Sequence, residues 1–224
     1  MGEEFIIQQE SKRIFEPRPL QIKDVPQVAD LHALVFPDYF LTHMGNSFLI
    51  RFYKHFLPRP GIALVAFDGQ QCVGFVAGTA QPEYFFTGFY RKNLLPIVLI
   101  TLQQLILDGY IRTEISKRAG HVGTAFKAVF PKKAIKSATV GNHTGESSAD
   151  LLGIGVHPIY RGKGIADALV RQFCDVLISE GIKTVSLTVR QNNFGAIGFY
   201  KKTGWQISGA SKDSIYFSRS TDFS

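Results

Sequence analysis

The fold is decided by residues 151–205, which read LLGIGVHPIYRGKGIADALVRQFCDVLISEGIKTVSLTVRQNNFGAIGFYKKTGW. The apolar run 151–156 predicts a strand that stops before Pro158, because proline cannot donate to a sheet ladder. A helix is predicted from residue 165 to a stop at Gly181. Its apolar positions recur at helical spacing and are Ile165, Leu169, Phe173, Val176 and Leu177. A second strand over 184–190 and a second helix complete an α/β unit.

The turn between the first strand and the first helix has the composition of a phosphate-binding site. It reads Arg161-Gly162-Lys163-Gly164-Ile165-Ala166. Backbone N–H groups at a helix start have no intrahelical partner, and small residues let an anion approach them closely. A P-loop would need glycine at His157, and a dinucleotide fingerprint would need a small residue at Asp167. The turn therefore predicts a phosphate cradle of another kind.

Two linked motifs give this stretch a resemblance to a known family. The first is Arg/Gln-x-x-Gly-x-Gly/Ala, present as Arg161, Gly164 and Ala166. The second is Asn-x-x-Ala-x-x-x-Tyr-x-x-x-Gly-aromatic, present as Asn193, Ala196, Tyr200, Gly204 and Trp205. Together they resemble the GNAT superfamily of acyl-CoA-dependent N-acetyltransferases. The resemblance covers roughly the last third of the chain.

The resemblance implies a fold and a co-substrate. The expected fold is α/β, with a GNAT-like mixed, mostly antiparallel central sheet that is flanked by helices. The sheet should splay between its two central parallel strands, 151–157 and 184–190, where the pantetheine arm of acetyl-CoA pairs with backbone. The residues implied to bind acetyl-CoA are Ile154, Gly155, Val156, Arg161, Gly162, Lys163, Gly164, Ile165, Ala166 and Asn193.

Acyl transfer to an amine makes three chemical demands. The amine must lose a proton, the tetrahedral intermediate needs an N–H donor, and the departing thiolate needs a proton. The donor is expected to be a backbone N–H within 154–156, where Gly153 and Gly155 either favour a strand irregularity or permit close packing. By resemblance Tyr200 is the catalytic acid, and simple packing is the alternative. A phenol of ordinary pKa about 10 can protonate a thiolate of about 8.5 at modest cost.

The general base is not assigned by the sequence. Thr188 stands where several relatives carry a glutamate, so that role cannot be transferred. The ionisable candidates are Glu83, Glu114, Glu146, Asp150 and His157. His157 adjoins the phosphate turn and is better interpreted as a turn residue. The six histidines show no ligand spacing, so no metal is expected.

The chain is expected to form a single domain over 1–224, and the residues before the glycine-rich turn are expected to supply its remaining strands and helices. A short strand is expected within 13–20, and Asp24 is expected to cap the helix that follows it. A second helix over 42–56 carries an aromatic stripe that is interpreted as core. Asp68-Gly69 between two apolar runs predicts a hairpin. This order of strand, two helices and hairpin is the one that the resemblance requires.

A helical insertion is expected at about 82–140. Its apolar run over 94–107 is too short and too interrupted for a membrane span, so a buried or interfacial helix is predicted. The basic residues after it are Lys117, Arg118, Lys127, Lys132, Lys133 and Lys136. Two interpretations stay open. The insertion is either a packed helix with a solvated basic face, or a segment that shapes an acceptor pocket or touches a membrane peripherally.

The formal net charge of +7 favours an anionic partner, which could be nucleic acid, a membrane surface or a phosphorylated cofactor. Nucleic acid binding would explain the charge but not the ordered motifs, so no nucleic acid partner is expected. Cys72 and Cys174 have no metal-ligand spacing and are interpreted as reduced core residues. Residues 1–13 contain no signal-peptide hydrophobic stretch, which predicts a cytoplasmic location.

The predicted function is transfer of an acetyl group from acetyl-CoA to a primary amine. The acceptor is expected to be a small molecule such as an amino sugar, because an aromatic insertion suits a concave pocket. Two alternatives remain. One is a protein or peptide N-acetyltransferase, and the other is a non-catalytic acyl-CoA-binding module, which the missing glutamate would favour.

Overall fold

One mixed sheet organises the residues that the computed structural model describes, which are 15–110, 113 and 147–222. Its strands are β1 (Arg18–Pro19), β2 (Gly61–Asp68), β3 (Gln71–Thr79), β4 (Ser148–Val156), β5 (Thr184–Arg190), β6 (Gln206–Ala210) and β7 (Ser214–Ser220). Across the sheet the order is β1-β2-β3-β4-β5-β7-β6. The β4–β5 pair is parallel, and the other pairs of this sheet are antiparallel. The predicted fold class is confirmed.

Helices cover both faces of the sheet. They are α1 (Val25–Val35), α2 (Phe40–His43), α3 (Asn46–Lys54), α4 (Pro82–Leu107), α5 (Ile165–Ser179) and α6 (Phe194–Lys202). Short 3-10 turns lie at Ile22–Asp24 and Pro158–Tyr160. Buried side chains of α5 and α6 form one core with the sheet, and buried side chains of α1, α3 and α4 form a second core. The β4–β5 pair is thereby held between two packed layers.

The first half of the chain largely follows the sequence predictions, with two corrections. The expected second helix is divided into α2 and α3 at Gly45, whose φ of 87° breaks a right-handed helix. Asp24 precedes α1, but its carboxylate does not cap that helix. It accepts instead from Arg18 at 2.7 Å and from the Gln21 backbone N–H at 2.9 Å. Asp24 therefore joins β1 to the turn before α1.

The β2–β3 hairpin and the aromatic stripe are confirmed. The hairpin turns at Gly69, whose φ is 58°. Phe48, Phe52 and Phe56 are buried in the second core. Burial of each such ring contributes on the order of 1.5–3 kcal/mol to the free energy of folding, relative to an exposed ring. The aromatic residues of α3 therefore stabilise the layer that supports the sheet.

The two central strands pair over a short length only. Their register pairs are Ser148 with Thr184, Ala149 with Val185, and Asp150 with Ser186. Beyond these pairs β4 continues to Val156 against β3, with an irregularity that leaves Leu152 without a register partner. The strands separate after residues 150 and 186, as predicted.

Helix α4 occupies the first part of the predicted insertion, and residues 111–112 and 114–140 of that insertion lie outside the described residues. Phe85, Phe89 and Ile97 are buried in the second core. The opposite face exposes the apolar side chains Leu95, Leu99, Leu102 and Ile106. No helix within the described part of the chain is long and apolar enough to cross a membrane.

A buried polar pair connects α1 to α3. His32 Nδ1 lies 2.7 Å from the Tyr53 hydroxyl, while His32 Nε2 is buried without a hydrogen-bond partner among the described residues. Burial lowers the pKa of His32 to about 4 and raises the pKa of Tyr53 well above its ordinary value. The pair is therefore uncharged at neutral pH.

Gly78 of β3 is needed for close packing against α5. A Cβ at this position would meet the Phe173 ring and lie 2.5 Å from the Asp150 carbonyl oxygen. We expect Gly78→Ala to lower the free energy of unfolding by about 1–3 kcal/mol, measured by urea denaturation. The control is Gly198→Ala in α6, where an added Cβ meets nothing within 4 Å. The control should be neutral or stabilising by up to about 1 kcal/mol, and equal losses in both variants would contradict this packing.

His32 should make stability depend on pH. The pKa of His32 is 6.5 in an unfolded chain and about 4 in the folded protein. Between these two pH values the imidazole binds a proton in the unfolded chain but not in the folded protein. The free energy of unfolding should therefore fall as pH is lowered through this window, by up to about 3 kcal/mol from this residue. Urea denaturation at several pH values measures the slope. His32→Gln should flatten it, whereas an unchanged slope would show that His32 does not cause the effect.

Candidate active site

The separation of β4 from β5 opens a cleft of about 940 Å³. Its walls are β4, the 161–167 turn, β5, α6 and the segment from α1 to α2. A smaller pocket of about 500 Å³ lies at the paired ends of β4 and β5, where Ser148 and Asp150 line it. The chemistry is assigned to the larger cleft because six motif residues line it: Arg161, Gly164, Ala166, Asn193, Ala196 and Tyr200.

The glycine-rich turn has the geometry of an anion cradle. Gly162 and Gly164 have φ values of 77° and 81°, in the left-handed region that favours glycine. A Cβ at either position would meet nothing within 4 Å, so the space beside the backbone is open. Helix α5 begins at Ile165, and the N–H groups of its first turn have no intrahelical acceptor. The turn can therefore accept a phosphate group on backbone N–H donors.

The charged residues of the turn take different positions. Arg161 is exposed, lines the cleft and places its Nε 3.4 Å from the Val156 carbonyl oxygen. Lys163 does not line the cleft; its Nζ lies 4.9 Å from the centre of the Tyr160 ring. Arg161 and Lys163 were both predicted to contact acetyl-CoA, and of these two basic residues Arg161 lines the cleft.

The β4 wall combines an irregularity with one closely packed glycine. The irregularity lies at Leu152, one residue before Gly153. A Cβ on Gly155 would lie 2.7 Å from the Phe75 ring and 2.8 Å from Val35, so close packing explains this glycine. Ile154 and Val156 also line the cleft. Since this edge has no β5 partner, its backbone groups are available to an extended ligand.

Tyr200 and Asn193 enter the cleft from α6. Asn193 is the N-cap of this helix, and its Oδ1 accepts from the Ala196 N–H at 3.1 Å. Tyr200 is 4% exposed and its ring packs against Trp205 and Phe217. Burial, and secondarily the nearby Tyr39 phenol, raise the pKa of Tyr200 above its ordinary value. A phenol is protonated at neutral pH even at its ordinary pKa, so Tyr200 can act as a donor, and the raised pKa makes it a weaker acid than a free phenol.

The candidate bases do not gather at the cleft. Asp150 accepts from Ser186 Oγ at 2.8 Å and lines the smaller pocket, while Glu83 lies on α4. His157 packs edge-on against Tyr160 outside the cleft wall. Glu114 and Glu146 lie outside the described residues. Thr188 is exposed within the cleft, and Asp167 is the one acidic residue among the described residues that line it.

Two contacts in this cleft were not predicted from the sequence. Tyr39 follows α1, and the guanidinium of Arg190 lies 3.9 Å from the centre of its ring. The His32–Tyr53 pair also lines the cleft. These residues come from segments far apart in the chain. The one available sequence indication was that Arg190 lies two residues after Thr188 and so shares its face of β5. Within the described residues, no cluster of His, Cys, Asp and Glu could hold a metal ion.

Comparison with known proteins gives consistent results. Residues 119–205 match the model of the acetyltransferase (GNAT) family. An acetyltransferase of Pectobacterium atrosepticum is 30% identical over 93 residues, which cover 42% of this chain and 65% of that protein. An acetyltransferase of Yersinia enterocolitica is 29% identical over the same shares of each chain. The matched segment thus spans slightly less than two thirds of these relatives.

Solved structures share the fold at low sequence identity. SsHAT has a TM-score of 0.65 at 22% identity, covering 94% of this chain and 100% of that one. The PaiA N-acetyltransferase of Thermoplasma acidophilum, in complex with coenzyme A, has a TM-score of 0.55 at 14% identity, with 93% and 99% covered. The spermidine/spermine N-acetyltransferase SpeG of Vibrio cholerae has a TM-score of 0.51 at 14% identity, covering 93% of this chain and 95% of that one. Residues 119–205 are thus similar to the acetyltransferase (GNAT) family, and the described residues share the fold of solved N-acetyltransferases.

Proposed function

We propose that the protein is an N-acetyltransferase that moves an acetyl group from acetyl-CoA to a primary amine. The observation that carries this proposal is the cleft between β4 and β5, which has an anion cradle at one end and Tyr200 in its wall. A long ligand with phosphates at one end and a reactive thioester at the other matches that arrangement. The match of residues 119–205 to the acetyltransferase (GNAT) family supports the same activity.

The residues that line the cleft are of the kinds that could hold acetyl-CoA. Its pyrophosphate would lie on the N–H groups of 162–166, beside the charge of Arg161. The pantetheine arm would pair with the free edge of β4 over Ile154 to Val156. Asn193 lines the same cleft and keeps its amide nitrogen for the arm, because its oxygen caps α6.

Acetyl transfer needs few groups in this arrangement. The amine nitrogen forms a bond to the thioester carbon, and a backbone N–H near the Leu152 irregularity donates to the carbonyl oxygen as it becomes an oxyanion. The carbon–sulfur bond then breaks, and Tyr200 gives its proton to the thiolate. The cleft presents Thr188 rather than a glutamate, so the amine proton passes to solvent, and Tyr200 recovers a proton from solvent.

The acceptor is proposed to be a small molecule, with an amino sugar as an example. Phe36, Tyr39 and Phe40 give the cleft an aromatic rim, which suits a compact acceptor. From the sequence, the aromatic residues of the acceptor pocket were expected in the insertion. Phe85 of that insertion is instead buried in the second core. Similar folds include a ribosomal-protein-S18-alanine N-acetyltransferase, so a protein acceptor is the alternative. Release of free thiol from acetyl-CoA with amino sugars and with peptides compares these acceptors, and a non-catalytic module would release none.

Gly164→Val should abolish the cradle. A branched side chain at a φ of 81° would stand where the pyrophosphate approaches the backbone, so acetyl-CoA affinity should fall at least about tenfold by calorimetric titration. Gly181→Val is the matched control, because Gly181 follows the same helix with a φ of 72° and equally open space. Both variants carry similar backbone strain. Unchanged affinity in a folded Gly164→Val protein, or equal loss in the control, would contradict the cradle.

Tyr200→Phe should separate catalysis from packing. The ring and its contacts remain, so stability and acetyl-CoA affinity should change little, whereas kcat should fall about tenfold to a hundredfold or more. A thioester with a more acidic thiol should reduce the deficit. Tyr216→Phe, which removes a phenol outside the cleft, is the control and should keep full activity. A normal kcat in Tyr200→Phe would assign Tyr200 to packing alone.

A further inference from the structure

The side of the cleft formed by β5, α6 and the residues after α1 has a polar surface, which we call the acceptor end. It comprises Tyr39, Thr188, Arg190 and Tyr200. Thr188 and Arg190 share one face of β5, because Leu187 and Val189 on the other face are buried in the core with α5. Tyr39 contacts Arg190 and influences the pKa of Tyr200, so these groups lie close together.

Arg190 is fixed at the acceptor end without an acidic partner. Its guanidinium stacks on Tyr39 at 3.9 Å, and Nη1 donates to the Asp38 carbonyl oxygen at 3.3 Å. None of the ion pairs in the described part of the chain includes Arg190. A guanidinium has five N–H donors in a planar fork, so most of them remain available to a ligand.

The charges that line the cleft favour an anionic acceptor over a cationic one. Asp167 is the acidic residue in the described lining, and it lies on the first turn of α5, 2.9 Å from Arg171 Nε. Among the described residues that line the cleft, a polyamine would therefore meet no carboxylate at the acceptor end. A carboxylate or a phosphate would meet Arg190, whose fork matches either group.

We propose that Arg190 binds an anionic oxygen group of the acceptor, and that the enzyme selects small amines which carry a carboxylate or a phosphate near the amine. This inference rests on the proposed acetyltransferase function. The short path from Arg190 through Tyr39 to Tyr200 limits the separation between the anionic group and the reacting amine. Arg190 is thereby a specificity-determining residue, while the phosphate turn holds the phosphates of acetyl-CoA.

The test uses two pairs of acceptors that differ in the anionic group. One pair is L-alanine and L-alaninamide, and the other is glucosamine 6-phosphate and glucosamine. Free-thiol release from acetyl-CoA gives kcat/KM for each acceptor. We expect the anionic member of at least one pair to be favoured about tenfold to a hundredfold, and Arg190→Gln to remove that preference. The pair that shows the preference distinguishes a carboxylate from a phosphate.

Two controls make the assignment specific to Arg190. Lys202→Gln removes another positive charge from the cleft lining and should leave the preference intact. Acetyl-CoA affinity, measured by calorimetric titration, should be unchanged in Arg190→Gln. A loss of that affinity would place Arg190 on the co-substrate and overturn the inference.

The remaining outcomes separate this inference from the proposed function. If only glucosamine and L-alaninamide are acetylated, or if Arg190→Gln affects both members of a pair equally, the inference is wrong and the acetyltransferase function stands. If none of the four amines releases thiol but a peptide does, the inference is wrong and the protein acceptor is favoured. If neither the amines nor peptides release thiol, the proposed function is contradicted and the inference fails with it.

Discussion

The loss of pairing between β4 and β5 after three register pairs is the constraint on which the site depends. Strand edges in a sheet interior normally satisfy their backbone N–H and C=O groups with each other. Here the facing edges diverge, and their polar groups must be satisfied by water or by a ligand. The separation is supported on both faces by packed cores, with Gly155 pressed against Phe75 and Val35 on one side.

Positive charge lies on both walls of this cleft. Backbone donors and Arg161 provide positive potential on the wall where α5 begins, and Arg190 provides it at the acceptor end. Tyr200 also lines the cleft as a neutral phenol, and burial raises its pKa above the ordinary value. Acetyl-CoA with its phosphates on the turn, and an acceptor with its anionic group on Arg190, would place the neutral reacting atoms beside Tyr200.

The local sequence predicted the elements of this site better than its tertiary contacts. The end of β4 before Pro158 and the start of α5 at Ile165 follow from short-range rules and were predicted correctly. The Tyr39–Arg190 stack and the His32–Tyr53 pair join segments distant in sequence, so no spacing could indicate them. The division at Gly45 was missed because the apolar pattern continues across it. The predicted cytoplasmic location stays a prediction.

Hydrogen exchange with and without acetyl-CoA tests most directly the claim that the separated strands form the acetyl-CoA site. Mass spectrometry resolves exchange in peptides from each segment of the chain. The account predicts slower exchange on addition of acetyl-CoA in 152–156 and 162–166, where free backbone donors meet the arm and the pyrophosphate, and little change in α4. Unchanged exchange in both segments at saturating acetyl-CoA would contradict the account, as would protection confined to α4.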